Sequence, residues 1–466
     1  MTRLFNNCLL FFLLSLPLAA QQEYGLTFLT HLPQAPLQAN PATFSDYRLN
    51  LVLPNLALGY QNSVFSVGDL FQPASEGGQV FDLDQSIARM RPDQNAIHTS
   101  LSVNAAALSF QLKQKLQVSF FHNTQLEMQL LYPKGFPSLL WKGNGAFLGE
   151  TLEIAPAINF LAYNEYGMGL AARLHEKFTA AVNVKYLNGL VGIRTIQSQA
   201  SLYTSPEYYQ LELESDMVIR TGGMNDILSG EADDPLADQS TSYLLNSGNN
   251  GIGFDVGMHI RVADRWAFNL AMQDIGKIYW TRYALENTSQ GTYTYEGQQI
   301  RPFADGQESV DFGATADSVG ALFDFRSSAK PFYTPLPQRF SLLVRFDPFR
   351  RFSVGGGFHY ASWNGVNQIA ATAHAQKQIG RILYFGTVAG YHQQTAFFLG
   401  ANATLQLGPL QFFAISDNIL ALIDPLNGQF ANLRAGLNLA FLPKKESASV
   451  VEPVYPNERY YFKGED

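Results

Sequence analysis

The feature that most constrains this chain is a pattern repeated along its 466 residues: about ten to fifteen residues in which apolar and polar side chains alternate, followed by a turn. Alternation with a period of two is typical of β-strands, whose successive side chains point to opposite faces. In the clearest run, every second residue from Ile252 to Val262 is apolar, and a turn at 263–265 leads into a second run at 266–280. The pattern predicts an all-β protein made of antiparallel hairpins.

The predicted strands are longer than those of a soluble β-sandwich. Residues 266–280 would span roughly 45 Å at about 3.3 Å per residue, and at a tilt of about 40° they would rise about 35 Å, enough to cross the apolar band of an outer membrane. Their polar faces carry mostly small residues, which suits a crowded lumen. Aromatic residues near strand ends, such as Trp266, Trp280 and Trp363, are interpreted as membrane-interface rings. We therefore predict a transmembrane antiparallel β-barrel.

The count of alternating runs indicates about 14 strands. Every long connection falls on the same side, as in outer-membrane barrels, and the long outer loops are predicted at 65–96, 132–153, 194–250 and 281–336. Within 194–250, residues 209–214 also alternate. We interpret them as an outer hairpin, and the alternative is two further barrel strands and a total of about sixteen. The strands are predicted at 48–64, 97–112, 116–131, 154–174, 178–193, 251–262, 266–280, 337–347, 351–362, 367–378, 381–392, 395–407, 410–417 and 430–441.

The amino terminus predicts export. Arg3, an apolar core at 9–14 and the small residues before Gln21 are typical of a secretory signal peptide over residues 1–20. The single cysteine, Cys8, would leave with it, so neither a disulfide nor a lipid anchor is expected. Without Arg3, 30 of the 31 Lys and Arg remain against 39 Asp and Glu, with no dense basic stretch, so nucleic acid is not an expected partner. We predict a protein of the cell outer membrane, in contact with its lipid and lipopolysaccharide.

Catalytic and metal-binding motifs are weak in this sequence. His98 and Ser100 would share a strand face, as the pair of a membrane-embedded hydrolase does, but two common residues meet this way by chance and no orienting acid or amide is evident. Acidic residues in the loop 226–238 could bind Ca²⁺ through their oxygens, although their spacing fits no calcium loop and a solvated acidic loop is favoured. We predict no enzymatic activity, metal or cofactor, and keep a hydrolase as a remote alternative.

Several short motifs resemble those of known outer-membrane barrels. Asn40-Pro41-Ala42, just ahead of the first strand, resembles the signature that follows the signal peptide in the long-chain fatty acid transporter superfamily. Residues 253–257 and 274–280 are more similar to a large Bacteroidota family of uncharacterised barrels related to that superfamily. Four further stretches of this sequence resemble motifs that occur later in that family: Tyr295-Glu296-Gly297, Leu336-Pro337, Asp417-Asn418 and the run from Asn432 to Asn438.

The resemblance implies a barrel, 48–441, whose lumen holds residues 21–47 as an amino-terminal hatch. A plug is also expected on physical grounds, because the interior of a barrel of this size is too wide for wall side chains alone to fill. Pro36 and Pro41 do not suit a central strand or helix, so we expect an irregular segment. The alternative is a periplasmic tail. Residues 442–466, which are charged and contain proline, are predicted to form a periplasmic C-terminal tail.

The inward faces of the predicted strands carry residues of mixed charge. We interpret them as a ladder of ion pairs and hydrogen bonds that stiffens the wall and holds the hatch. The alternative is a polar path or head-group site for an amphiphile. The predicted lumen-facing residues are Lys185, Asp255, His259, Arg261, Asn269, Gln273, Arg345 and Arg434.

The last strand and the outer loops supply the remaining expectations. Arg434, Gly436, Leu439 and Phe441 resemble the recognition sequence that the barrel-assembly machinery reads during biogenesis. The predicted function is a channel or transporter for small hydrophobic or amphipathic molecules. The main alternative is a non-transporting barrel whose loops dock secreted or surface proteins, as an accessory of a secretion system.

Overall fold

The computed structural model describes residues 23–73, 79–113, 115–223, 247–295, 323, 325–380, 382–394, 396–424 and 426–443. Fourteen antiparallel strands close into a barrel, because the first strand pairs with both the second and the last. This confirms the fold class that the alternation predicts. The barrel strands are β1 Tyr47–Asn62, β2 Asn95–Leu112, β3 Leu116–Tyr132, β4 Ala157–His175, β5 Phe178–Thr204, β6 Asn250–Ala263, β7 Trp266–Trp280, β8 Gln338–Phe349, β9 Phe352–Trp363, β10 Val366–Ile379, β11 Leu383–His392, β12 Ala396–Leu407, β13 Leu410–Ser416 and β14 Phe430–Pro443.

The two ends of the barrel differ in their connections. Very short turns join β2 to β3, β4 to β5 and each later pair up to β12 and β13 at one end, which we call the inner end. There the backbone reverses through the left-handed region, with φ of 61° at Arg351 and 60° at Gly408. The other end carries all the long connections, and we call it the outer end.

The outer end carries a second sheet. Strand β5 is 27 residues long and continues past the ring, where Leu211–Gly222 pairs with its last residues and also with Leu285–Tyr295. The sixteen-strand alternative is therefore wrong: β6 still pairs with the barrel part of β5, and the extra strands lie above the ring. The remaining short strands are Phe71–Pro73, Gln79–Phe81, Thr151–Glu153, Arg326–Ala329 and Phe332–Pro335.

Residues 23–46, the hatch, lie inside the lumen and are almost all buried. They contain two short helices, α1 Tyr24–Phe28 and α2 Ala35–Gln38. Pro36 is tolerated because it stands in the first turn of α2, where a helix needs no N–H donor. A hatch is thus confirmed, but the expectation of a wholly irregular plug is wrong, as is the alternative of a periplasmic tail for these residues.

In the described part of the chain, three further helices lie outside the hatch: α3 Asp84–Arg89, α4 Gly135–Lys142 and α5 Ile419–Ile423. Single turns of 3₁₀-helix occur at Val67–Leu70 and Asn144–Phe147. Among the residues that the structure describes, no helix has the length and apolar character needed to cross a membrane.

The alternation along the strands separates an apolar outer surface from a polar lumen. Inward side chains are largely Asn, Gln, Ser, Thr and charged residues, and most of them are buried. An exposed apolar outer surface of this kind is what a lipid bilayer requires of a barrel. Outward residues that remain exposed include Ile252, Phe254, Val256, Met258, Ile260, Phe268, Leu342, Phe358, Phe385 and Phe412.

A bulge in β7 changes which residues face outward. Gln273 and Asp274 are both buried, φ is 59° at Asp274, and the pairing of β6 with β7 slips at this level. Beyond the bulge Tyr279 is exposed, whereas Trp280 is completely buried at 0% exposure. The interpretation of Trp280 as an interface ring is therefore wrong. It is also wrong for Trp363, which is buried on the inner face of β9.

Some sequence predictions fall on other parts of the chain. The proposed signal peptide, 1–20, the acidic loop 226–238 and residues 444–466 of the predicted tail lie outside the described residues.

Candidate functional site

A cavity lies in the lumen between the hatch and the outer end of the barrel. It contains about 960 Å³ of space between the atoms, its open mouth included. Its wall lies in the outer parts of the strands, with His98 near the start of β2 and Trp363 at the end of β9. The hatch supplies Glu23, Thr27 and Gln38 to one side of the cavity. A molecule entering from the outer end would meet this space before it meets the body of the hatch.

The polar lining follows from the strand period. Two neighbouring strands, β2 and β3, each turn every second side chain toward the lumen. In the outer part of these strands the inward residues are His98, Ser100 and Ser102, facing Gln125, Glu127 and Gln129.

Each charged side chain that lines the cavity has an oppositely charged or ionisable partner. Arg434 donates through Nε to both carboxylate oxygens of Glu23, at 2.8 and 2.6 Å. Arg339 donates through Nε to Asp274 at 3.0 Å. The carboxylate of Glu127 lies 3.1 Å from Nε2 of His98. Each of these charged groups thus has its partner within the wall or the hatch.

The neutral polar groups of the cavity differ, because several have no partner. In the described part of the chain, buried atoms without a hydrogen bond include Oε1 and Nε2 of Gln38, Oγ of Ser102 and Nε2 of Gln273. These atoms have almost no exposed surface, so their side chains must turn toward the cavity before a ligand or an ordered water can bind them. A buried polar group of this kind costs free energy unless a ligand or an ordered water binds it.

A buried ion cluster lies beside the cavity. Nζ of Lys185 lies 2.7 Å from Asp274, 2.9 Å from Asp255 and 3.5 Å from Glu165, and all four side chains are at most 3% exposed. Asp274 also binds Arg339, so the cluster joins β4 to β8 across the bulge in β7. Asn183 extends it to the hatch, because its amide donates to Asp255 at 3.0 Å and to the carbonyl of Pro36 at 3.3 Å.

The wall is interrupted between β12 and β14. Strand β13 pairs with β12 only from Ala401 inward and with β14 only from Arg434 inward. Toward the outer end, residues 417–424 and 426–429 replace the strand, and α5 within them packs against both β12 and β14. The seven residues of β13 rise only about 18 Å at ~3.3 Å per residue and ~40° tilt, less than an apolar band of about 25 Å. The interruption therefore begins at membrane depth.

Side-chain hydrogen bonds bridge the interruption where the ladder is missing. The amide of Asn432 donates to Asp417 at 2.7 Å, the N–H of Asp417 donates back to Asn432 at 2.6 Å, and Asn418 donates to the carbonyl of Phe430 at 2.7 Å. Gly400 makes room for this turn, because a Cβ there would lie 2.5 Å from Cα of Asp417. Leu420, Leu422 and Ile423 of α5 and Leu426 after it are exposed, whereas Ala421 is buried.

Asp417 joins the interruption to the hatch. Its carboxylate also accepts hydrogen bonds from the backbone N–H groups of Tyr24 and Gly25, at 2.8 and 2.7 Å. Asp417 is 0% exposed, so these bonds are shielded from water. The carboxylate of Asp417 thus connects the start of the hatch to the edge of the interruption. Through Asn432 it is also connected to the cavity wall.

The eight residues predicted to face the lumen fall into distinct places. Gln273 and Arg434 line the cavity, and Lys185 and Asp255 belong to the ion cluster. Arg345 donates to Oγ1 of Thr30 in the hatch at 3.1 Å. The others lie toward the inner end of the β6–β7 hairpin: Nδ1 of His259 contacts Oδ1 of Asn269 at 2.8 Å, and Arg261 is exposed.

The hatch motif Asn40-Pro41-Ala42 packs against β6. The side-chain oxygen of Asn40 accepts from the N–H of Ala42 at 2.9 Å, and its amide donates to the carbonyl of Met258 at 3.2 Å. A Cβ at Gly257 would lie 2.9 Å from Cδ of Pro41, so this glycine permits the close approach. On β14, Arg434 and Gly436 face inward and Leu439 and Phe441 outward, and their reading by the assembly machinery stays a prediction.

Sequence reasoning missed the partners of several charged residues. The acid beside His98 is Glu127, which stands directly across from Ser100 on β3. Glu127 alternates with Gln125 and Gln129, and this spacing was the available signal. No hydrogen bond joins His98 to Ser100 in the described part of the chain, and Glu127 occupies Nε2 of the histidine. The arrangement is thus a carboxylate in contact with an imidazole, with a separate hydroxyl.

Comparison with known families identifies the chain. A family model described as "Family of unknown function (DUF5723)" matches residues 41–417, from the hatch motif to the edge of the wall interruption. The chain belongs to this family. An origin in Bacteroidota, which the motifs suggest, stays a prediction. No curated protein matches the sequence.

Solved outer-membrane channels are similar to this chain over most of its length. A TodX deltaS2S3 mutant monoaromatic hydrocarbon channel is 10% identical, with 87% of this chain and 94% of that chain covered and a TM-score of 0.42. The P. putida toluene transporter TodX is 9% identical, with 88% and 94% covered and a TM-score of 0.41. A Pseudomonas aeruginosa FadL homologue is 11% identical, with 89% and 95% covered and a TM-score of 0.39.

Proposed function

We propose that this protein is an outer-membrane channel that admits small amphipathic or hydrophobic molecules into the cavity and releases them sideways through the interrupted wall. The observation that carries the proposal is the interruption between β12 and β14. Open sheet edges and irregular backbone at membrane depth are avoided in barrels, because their polar groups meet lipid. An interruption retained at this depth is therefore a functional candidate.

The position of the cavity supports a sideways route. Asn432 and Arg434 line the cavity, and Asn432 is also the residue that bridges to Asp417 at the edge of the interruption. The hatch blocks a straight path toward the inner end, where Gln34 is held by Asn438 of β14 at 3.1 Å. A molecule in the cavity thus lies next to a weakened wall on one side and above a fastened plug on the other.

The surface of the interruption suits a lipid-facing exit. Leu420, Leu422 and Ile423 of α5 are 54%, 44% and 79% exposed. An apolar helix held by side-chain hydrogen bonds can shift without breaking a strand ladder, because the ladder is already absent there. A polar cavity that opens toward an apolar surface favours molecules with a polar head and an apolar tail.

A disulfide that fastens the interrupted segment tests this proposal. The N–H of Gly68, in the turn after β1, donates to the carbonyl of Leu426 at 2.5 Å, and a Cβ at Gly68 would lie 3.4 Å from Cγ of Asn427. The pair Gly68→Cys with Asn427→Cys therefore has nearly the geometry that a disulfide needs. Cys8 is the only other cysteine of the sequence, so the cross-link is unambiguous.

The readout is uptake of a fluorescent fatty amphiphile by cells that carry the full chain. We expect the oxidised pair to lower the initial uptake rate to that of cells without the protein, and a reductant to restore it. Each single-cysteine variant is the matched control and should behave as the wild type. Uptake that is equal in the oxidised and reduced pair would refute the sideways route.

The docking alternative also has an observation in its favour. The outer sheet has its own apolar core, formed by Leu202, Leu211, Leu213 and Met217 with residues around them, and so presents a stable surface above the membrane. Affinity purification of the full chain from native membranes tests it. A stoichiometric protein partner with only bulk lipid would favour docking over transport.

A further inference from the structure

We infer that the lumen cavity binds an uncharged head group that carries several hydroxyl groups, as in a glycoside or another polyol. The inference concerns the same site as the proposed channel and rests on it for the apolar tail of the ligand. Some polar atoms of the cavity already have partners within the protein and others do not.

A charged ligand would find no charged side chain in the lining without a partner. The guanidinium of Arg434 is occupied by Glu23, and that of Arg339 by Asp274. Glu127, the remaining carboxylate of the lining, contacts His98. Taking a carboxylate or an ammonium group out of water costs more than an already neutralised pair returns. An anionic or cationic head group would therefore have to break one of these pairs.

The groups without partners are neutral and include both donors and acceptors. Gln38 offers an amide N–H₂ and an amide oxygen, Gln273 offers an N–H₂, and Ser102 offers a hydroxyl that can do either. A ligand hydroxyl donates one hydrogen bond and accepts others, so several hydroxyl groups on one molecule complement this mixture. A simple alkyl chain would leave all of these atoms unsatisfied.

The three residues come from different parts of the fold. Gln38 ends α2 of the hatch, Ser102 lies in β2 and Gln273 lies at the bulge of β7, yet all three line one cavity. Convergence of unsatisfied groups from separate elements is what a binding pocket shows. Because Gln38 belongs to the hatch, a head group bound to all three would contact the wall and the hatch together.

An apolar surface next to these groups completes the pocket. Trp363 lines the cavity, and its orientation is fixed because its indole N–H donates to the carbonyl of Pro335 at 3.1 Å. Val366 and Pro337 lie in the same lining. Polyol rings have apolar C–H faces as well as hydroxyl edges, so a pocket with an aromatic side chain and convergent amides suits both.

Three probes with the same eight-carbon chain test the inference. Octyl glucoside, octanoate and octyltrimethylammonium are titrated below their micelle concentrations onto the full chain in nanodiscs, with empty nanodiscs as the blank, and binding is followed by saturation-transfer NMR. We expect the glucoside to bind at least about tenfold more tightly than either ion, with saturation reaching its sugar protons. Equal or tighter binding of either ion, or saturation confined to the alkyl protons, would overturn the inference.

Matched variants locate the binding. Ser102→Ala and Gln273→Leu should each weaken glucoside binding about fivefold, the loss of one hydrogen bond. The controls are Ser109→Ala, on the same strand as Ser102, and Gln406→Leu, near the inner end. Ser109 and Gln406 are buried but do not line the cavity, so these variants should leave glucoside binding unchanged. If the cavity variants and their controls bind the glucoside equally, the inference is wrong.

These outcomes separate the inference from the proposed function. Glucoside binding that depends on Ser102 and Gln273, with uptake unaffected by the Gly68–Asn427 cross-link, would keep the head-group site and remove the sideways route. Uptake that responds to the cross-link, with no preference for the uncharged head group, would keep the route and remove the site.

Discussion

Replacement of Asp417 by alanine should free the start of the hatch while the barrel stays folded. The carboxylate of Asp417 accepts hydrogen bonds from the N–H groups of Tyr24 and Gly25, at 2.8 and 2.7 Å, in a fully buried place. A buried N–H group that loses its hydrogen-bond partner costs about 1–3 kcal/mol, so the loss for the two groups amounts to about 3 kcal/mol or more. The barrel ladders next to Asp417 involve other residues, so the loss should be local.

Hydrogen exchange measured by mass spectrometry tests this magnitude. A loss of about 3 kcal/mol in the free energy of local opening corresponds to roughly hundredfold faster exchange in peptides that contain Tyr24 and Gly25. Asn418→Ala is the matched control, because Asn418 bridges the same interruption through the carbonyl of Phe430 without contacting the hatch. Unchanged exchange in Asp417→Ala, or equal acceleration in the control, would refute the role given to this carboxylate.

Three further perturbations probe the ion cluster, the hatch contact and the outer sheet. Lys185→Met should lower the free energy of unfolding by about 3–5 kcal/mol, because it leaves buried carboxylates unpaired. Lys277→Met, on the exposed outer face, should change this free energy little. Urea titration, with the folded fraction read from heat-modifiable gel migration, checks both variants. Gly257→Val should displace the hatch motif at a cost of about 1–3 kcal/mol, and proteolysis of the hatch in a barrel that still migrates as folded checks this. Hydrogen bonds from Lys330 and Arg220 hold the pKa of Glu286 below its usual 4.5. The stability of the outer sheet should therefore be constant above pH 4.5 and fall as the pH is lowered further. Amide exchange of the outer sheet measures this pH dependence, and Glu286→Gln should abolish it.

The sequence was sufficient for the parts of the fold that depend on local alternation. The β6–β7 hairpin could be predicted because Ile252, Phe254 and Val256 all point outward from β6, whose pairing with β5 runs without a register shift. The hatch could be expected because a wide barrel needs filling and a proline-containing segment precedes the first strand. Both inferences use only side-chain period and chain geometry.

Other parts could not be predicted because they depend on distant partners or on broken periodicity. Trp280 faces inward only because the bulge at Asp274 shifts the alternation by one residue. The end of β13 is equally hidden, since the strand stops where Asp417 turns inward to the hatch, which is almost four hundred residues away in the chain. The cavity is a further case, because its lining comes from many strands and from the hatch.

The most direct test of the account is photo-crosslinking in native outer membranes with a photoreactive alkyl glucoside, followed by peptide mass spectrometry of the full chain. The account predicts adducts on cavity residues such as Ser102 and Trp363 and on the α5 segment at the interruption, in competition with unlabelled octyl glucoside. Adducts confined to the outward apolar surface of the other strands, and insensitive to that competitor, would contradict it.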